Sequence, residues 1–312
     1  MLEVAEGIRR VTFPLPFALD HVHCYCVRDS DGGWMLVDTG LGLPGAEERW
    51  SPVLAALDGP VTRIVVTHFH PDHVGDSATV AELTSAPVFQ GADDYAQCRR
   101  IWGEERQPER YAAHVLAHGL PERDLDDLRR ESDALAQFVH AAASPEPLEP
   151  GETIDGWDVL HLPGHADGHL ALLRDGTLLA GDALLARISP VVGLYPDARP
   201  DPLGDYLGTL ERIVELAPTV AFAGHNEPVD DPAARARELV EHHRRRLDET
   251  RAALSAEPSS GYEVSRRLFG AELGSTQRRF ALAESLAHLE HLVREGRGER
   301  FEEEGRILYR AS

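Results

Sequence analysis

The sequence has no lysine: all 31 of its basic residues are arginine. With the abundance of alanine this reflects composition and carries no chemistry. Cysteine is nearly as scarce, with Cys24, Cys26 and Cys98 the only three in 312 residues. An odd, sparse set in a chain of this length excludes a small disulfide-stapled scaffold and suits free thiols in a reducing cytoplasm. No apolar run reaches the ~18 residues that a membrane-spanning helix requires. The opening MLEVAEGIRRVTFPL alternates charge and apolarity without an apolar h-region, so no secretory signal is expected. Positive charge is also short. Acidic residues number 53, for a net charge of −22, and the imbalance is uneven: residues 1–234 carry −23 and residues 235–312 carry +1. An acidic body repels phosphate backbones at long range, which disfavours nucleic acid as the main partner but leaves room for a local basic groove.

What is present is a soluble, globular composition, 42% apolar and 27% charged. The length predicts about two domains, each able to bury a core. Strands are expected at 8–13, 22–28, 34–38, 61–67, 87–91, 157–162, 170–174, 177–180 and 219–223, with helices at 45–57, 74–84 and 205–216 between them. This alternation predicts α/β layering. A helical insertion over about 93–140, bearing Tyr95, Trp102, Tyr111 and Phe138, interrupts it. Its aromatics read as a helical core stripe or as a cap over a cleft. The pattern changes after Pro232: a long charged helix at 233–254, helices at 261–269 and 276–296, then two short strands around an acidic Gly turn. Domains are therefore expected at 1–232 and 233–312, the second a linker helix followed by a winged-helix unit.

The strongest chemical signal is His68-Phe69-His70-Pro71-Asp72-His73, four candidate metal ligands in six residues between a buried strand and a helix. Metal coordination needs neutral imidazole or ionised carboxylate lone pairs at about 2 Å. In an extended turn His68 and His70 face one side, because side chains repeat every two residues. The first helical turn can direct Asp72 and His73 elsewhere, so one segment can feed two adjacent ions. Three further candidates each follow a strand and sit beside glycine: His165 in Gly164-His165, Asp182 in Gly181-Asp182, and His225 in Gly224-His225. Loops at strand ends build sites in layered α/β proteins, and glycine lets them turn sharply.

That order of motifs, preceded by Val37-Asp38-Thr39-Gly40, resembles the metallo-β-lactamase-fold hydrolase superfamily over about residues 8–228. The resemblance implies an αββα sandwich, with His68, His70 and His165 binding one metal, Asp72, His73 and His225 the other, and Asp182 bridging them. It gives Asp38 a supporting role behind the ligands, and His169 reads as a structural or supporting residue too. Two divalent cations are implied; histidine-rich ligation favours zinc, with iron or manganese as alternatives. The implied activity is hydrolysis through a metal-bridging hydroxide, with Asp72 and Asp182 orienting it. The C-terminal pattern resembles the subgroup of lactamase-B-2-like proteins with a winged-helix appendage. That subgroup includes an endoribonuclease and thioester hydrolases, so the substrate does not follow from it.

The acidic body and apolar insertion suit a small ester, an acyl thioester or lactone. A metal-dependent phosphodiesterase or endoribonuclease is the alternative, and a non-catalytic binding or regulatory module the reading from another class. Tyr195 is a candidate hydrogen-bond donor to a substrate carbonyl. In the last helix Leu282, Leu286, Leu289 and Val293 form a stripe expected to pack within the chain or against a second subunit, making a homodimer a candidate. Its balanced charges argue against groove reading of DNA. Cys24 and Cys26 share a strand face as structural thiols, and His21 and His23 read as structural or rim residues.

Overall fold

A computed structural model describes residues 1–312. Two sheets stack face to face. The first runs β1 (Leu2–Ala5), β2 (Ile8–Pro14), β3 (His21–Arg28), β4 (Trp34–Val37), β5 (Val61–Val66), β6 (Val88–Gln90) and β7 (Glu146–Pro147), in that spatial order. Pairing is antiparallel from β1 to β4 and parallel from β4 to β7. Parallel neighbours need crossovers. These are supplied by α1 (Ala46–Ala55), by α2 (Pro71–Val74) with α3 (Ser77–Thr84), and by the insertion, α4 (Ala92–Ile101), α5 (Pro108–Ala117) and α6 (Leu125–Ala136). The second sheet comprises β8 (Thr153–Ile154), β9 (Trp157–His161), β10 (Leu170–Arg174), β11 (Thr177–Gly181) and β12 (Val220–Ala223), the last parallel to β11 after α7 (Pro202–Leu216).

The period of two along each strand explains the layering. In β4, Met35 and Val37 enter the core between the sheets, while Trp34 and Leu36 face the outer helices. In β5, Val65 points inward and Ile64 and Val66 outward. The second sheet mirrors this: Leu172, Leu179 and Phe222 meet the first sheet, and Ala171, Leu178 and Ala221 meet α7. Helices on both outer faces complete the αββα sandwich. Cys24 and Cys26 are buried free thiols on the outer face of the first sheet, and Cys98 joins them in that core.

The C-terminal region is α8 (Pro232–Ala253), β13 (Ser259–Ser260), α9 (Gly261–Phe269), α10 (Ser275–Arg294), β14 (Gly298–Glu303) and β15 (Arg306–Ala311), with sheet order β13-β15-β14. Several helix starts are written in the sequence. Asp201 and Asp231 cap α7 and α8, accepting from Gly204 and Ala234 N–H at 2.9 Å, each followed by proline at the first helical position. Ser260 and Glu263 form a capping box on α9.

The C-terminal region is docked on the sandwich. Ala236, Leu239 and Leu247 of α8 join the core under α7. The leucine stripe of α10 is spent inside the chain: Leu282, Leu286 and Leu289 are at most 2% exposed and pack with Ala112, Val115 and Leu128 of the insertion. At about 1.5–3 kcal/mol per fully buried leucine, that seam holds the two regions together. The predicted helical stretch 93–140 is three helices, broken at 102–107 and around Gly119, where a φ of 91° stops α5. Its aromatics divide: Tyr95, Trp102 and Phe138 pack on the first sheet's outer core and Tyr111 on the C-terminal seam. No helix is long and apolar enough to cross a membrane.

Candidate metal centre

The C-terminal ends of β4, β5, β11 and β12 and the loop after β9 open on one edge of the sandwich. β5 ends at Val66, and Pro71 starts α2 at its first position, so the chain turns directly after His70. Three overlapping groups of ligand atoms result: His68, His70 and His165; His68, His73 and Asp182; and Asp72, His73 and His225, the atoms of each lying within 4.8 Å of one another. His68, His73, His225 and Asp182 are buried, whereas His70, Asp72 and His165 keep partial exposure and form the mouth of the site.

Hydrogen bonds fix which nitrogen each ring presents. Asp38 Oδ2 lies 2.7 Å from His73 Nδ1, and a carboxylate can only accept, so Nδ1 carries a proton and Nε2 faces the site. The Val191 carbonyl accepts from His165 Nδ1 at 2.8 Å, and the His21 carbonyl from His225 Nδ1 at 2.6 Å. Thr67 Oγ1 donates to Asp38 Oδ2 at 2.8 Å, which leaves its oxygen to accept from His68 Nδ1 at 3.0 Å. Four rings therefore turn Nε2 inward. His70 instead turns Nδ1 inward, 3.0 Å from His68 Nε2 and 2.8 Å from His165 Nε2.

A proton on His70 cannot satisfy two facing lone pairs at once; a cation between the three nitrogens can. Asp182 links the two halves, with Oδ1 3.5 Å from His73 Nε2 and Oδ2 3.7 Å from His165 Nε2 and 3.3 Å from His225 Nε2. Asp72 Oδ2 is 3.3 Å from His225 Nε2. Tetrahedral ligands ~2.1 Å from one ion stand about 3.4 Å apart; the contacts of Asp182 and Asp72 lie at 3.3–3.7 Å, and those of His70 with His68 and His165 are tighter, at 3.0 and 2.8 Å. His73 Nε2, His225 Nε2 and Asp182 Oδ1 are buried without a hydrogen-bond partner. Buried polar atoms are rarely left so, and the donor set fits divalent cations.

Charge favours the same occupants. Burial, then the neighbouring rings, push His68 and His70 well below the ordinary histidine value, and burial lowers His165 against the pull of Asp182. Their lone pairs are thus available. Burial opposes ionisation of both aspartates, but His225 and His73 hold Asp182 well down, and His73 and His225 hold Asp72 at about 2. His225, opposed by burial but drawn by Asp182 and Asp72, rises to about 10. Proton and cation compete for such nitrogens.

His169 is not part of the ligand set. Its Nε2 accepts the Asp182 N–H at 3.1 Å and its ring stacks on His68 at 4.7 Å, so it fixes the backbone of Asp182. His21 and His23 brace the His225 loop: His21 Nε2 accepts the Asn226 N–H at 3.1 Å, and His23 Nε2 lies 2.8 Å from the Asn226 carbonyl. Tyr195 lies with its ring over Gly193 beside Ala283 of α10, where burial raises its hydroxyl pKa. Two supporting residues escaped the sequence reading. Thr67 links Asp38 to His68, and its place directly before the histidine run was the available signal. Asp94, on α4, accepts the Phe69 N–H at 3.0 Å and Gln90 Nε2 at 2.6 Å; nothing local marks it.

Comparison with known proteins places these residues in context. Residues 18–225 match the model of the metallo-beta-lactamase superfamily, and residues 247–312 that of the metallo-beta-lactamase-like C-terminal domain. The chain is 37% identical to a metallo-beta-lactamase family protein from Thermus thermophilus, over 99% of this chain and 100% of that one, with a TM-score of 0.86. It is 27% identical to the probable metallo-hydrolase YqjP of Bacillus subtilis over 93% of each chain. TTHA1623, solved in a di-iron-bound form, is 27% identical over 73% of this chain and 97% of its own, with a TM-score of 0.52. A hydroxyacylglutathione hydrolase of Alkalilimnicola ehrlichii is 27% identical over 62% of this chain and 60% of its own.

Proposed function

The chain belongs to the metallo-β-lactamase superfamily and is a metal-dependent hydrolase, and we propose that it cleaves a small organic ester, an acyl thioester or a lactone. The observation that carries this is the inward set of seven ligand groups, whose ring orientations are fixed by hydrogen bonds from behind. His68, His70 and His165 would hold one cation, Asp72, His73 and His225 a second, and Asp182 both. Bound cations of this kind supply Lewis acidity and lower the pKa of water from 15.7 to about 7. Asp72, ionised and at the mouth of the site, would take the proton of the attacking water at Oδ and return it to the leaving group as the bond from the carbonyl carbon breaks. Asp182, fixed by the His169 contact to its backbone, keeps the two halves in register. No serine or cysteine nucleophile is used.

A neutral carbonyl centre suits the acidic body, and the similarity to a hydroxyacylglutathione hydrolase supports a thioester. Zinc fits the histidine-rich donors, and the di-iron form of TTHA1623 makes iron the alternative. For the C-terminal unit, residues 233–312, the order helix, strand, helix, helix, hairpin supports a winged helix used for packing, with 1–232 as the catalytic domain. The buried free thiols support a cytoplasmic setting.

The test is a panel of acyl thioesters, lactones and RNA assayed on protein whose metal content has been measured. Thioester or lactone turnover that chelation abolishes is expected. Turnover of RNA alone would overturn the substrate reading.

A further inference from the structure

The segment that follows Asp182 has two faces. At its far end the Val191 carbonyl holds His165. Between these ligand contacts, Arg187 and Ser189 form one wall of an open groove of ≈ 740 Å³, and the first half of α8 forms the other. Arg235, Arg237 and Arg245 of α8 line it with Arg187, against Glu238 and Glu241. Only two of the ten lining residues are hydrophobic, so the groove suits a polar ligand.

Two of the arginines are fixed in place. Arg235 donates to the carbonyls of Leu185 at 2.8 Å and Ile188 at 3.0 Å, tying α8 to the segment. Arg187 meets Glu227 at 2.6 Å, two residues beyond the ligand His225. Arg237 and Arg245 are exposed and line the groove at positions two turns apart, Arg245 within 3.6 Å of Glu241 on the same helix. The lining is net positive on a chain of net charge −22. Bulk charge acts at range, but at physiological salt it is screened beyond about 8 Å, so inside the groove the local arginines prevail.

Resting on the thioester reading above, we propose that this groove binds the phosphate-bearing half of the substrate, which makes the substrate a thioester of a phosphorylated thiol carrier. Arginine forks match phosphate oxygens in geometry and charge. Arg187 is five residues from Asp182, a reach of at most about 18 Å, within the length of an extended nucleotide-bearing thiol. A ligand there also touches the segment whose end orients His165, so binding the carrier and setting the metal site share one piece of backbone.

The test compares acetyl-coenzyme A with acetyl-pantetheine, which presents the same thioester without the phosphates, on metal-loaded protein. The ratio of kcat/KM for the two is expected to favour the phosphorylated substrate. It should fall about tenfold in R237A/R245A, through KM, as expected for loss of two exposed charge contacts. Adenosine 3′,5′-bisphosphate should bind the wild-type protein by calorimetry and lose that binding in the double variant, with metal content and circular dichroism unchanged. Hydrolysis of both thioesters with an identical ratio in wild type and variant overturns the groove assignment, as does absence of bisphosphate binding. Hydrolysis of neither overturns the thioester reading itself; bisphosphate binding lost in the variant would then leave the groove standing as an anion site. RNA cleavage that depends on the same arginines would assign the phosphate to a polynucleotide and overturn the proposal.

Discussion

Asp38 Oδ2 sits 2.7 Å from His73 Nδ1 and accepts its proton, while the same carboxylate takes the Thr67 N–H at 2.7 Å and the Thr67 hydroxyl at 2.8 Å. One buried aspartate thereby sets the tautomer of His73 and, through Thr67, that of His68. Its backbone φ of 61° lies in the left-handed region, which aspartate tolerates better than most side chains. Replacing it with asparagine puts an amide where only acceptors serve. D38N should weaken metal affinity about 10–100-fold, as expected for partners that orient ligands. A chelator-competition titration measures this, and wild-type affinity in D38N would refute the orienting role.

The two ligand groups predict different metal losses. His70 contacts only His68 and His165 among the ligands, so H70A should lose one of about two metal equivalents. Asp182 touches rings in both halves, so D182A should deplete both and abolish hydrolysis. Elemental analysis after gel filtration reads the stoichiometry. Full loading and wild-type turnover in both variants would show the site to be misassigned.

Glycine at 224 is required by space. A Cβ there would stand 2.5 Å from Asp182 Oδ1 and 2.5 Å from His73 Cε1, both buried and fixed. G224A alters no ligand yet should displace two of them, cutting turnover by at least about tenfold, as a 1 Å misplacement does. Steady-state kinetics at saturating metal decides it; unchanged kcat would mean that the site relaxes around the methyl group.

Asp94 predicts a pH dependence of stability. Burial, only partly offset by Gln90 and the Phe69 N–H, pushes its pKa from 3.8 up to about 7. Between those values the folded chain keeps a proton that the unfolded chain has lost, so stability declines as pH rises through that window. D94N cannot titrate and escapes the decline. The stability of D94N minus that of wild type should therefore increase between pH 5 and pH 8, by on the order of 2 kcal/mol. Urea melts of chelator-treated proteins at the two pH values test this, and a difference that does not change with pH would sink it.

Much of the site was legible before any coordinates. The histidine run and the three glycine-flanked ligands lie at strand ends, where local pattern and strand periodicity suffice to mark them; the supporting role of Asp38 came from the family resemblance. The layers followed from the alternation of apolar strands such as Trp34–Val37 and Val61–Val66 with helices. The two-residue strands β7, β8 and β13 did not, because two residues show no period. The insertion read as one helical stretch although Gly103, Pro108 and Gly119 mark its breaks.

By itself the sequence determined the ligand types, their order along the chain and the faces of the strands, all set by neighbours in the covalent chain. Only the tertiary structure decided which nitrogen His165 and His225 offer, because those choices depend on the carbonyls of Val191 and His21, far apart in sequence from the rings they hold. It also decided that the α10 leucines meet the insertion and that arginines of α8 meet Arg187, since long-range packing, rather than local propensity, selects which apolar face and which charges become neighbours.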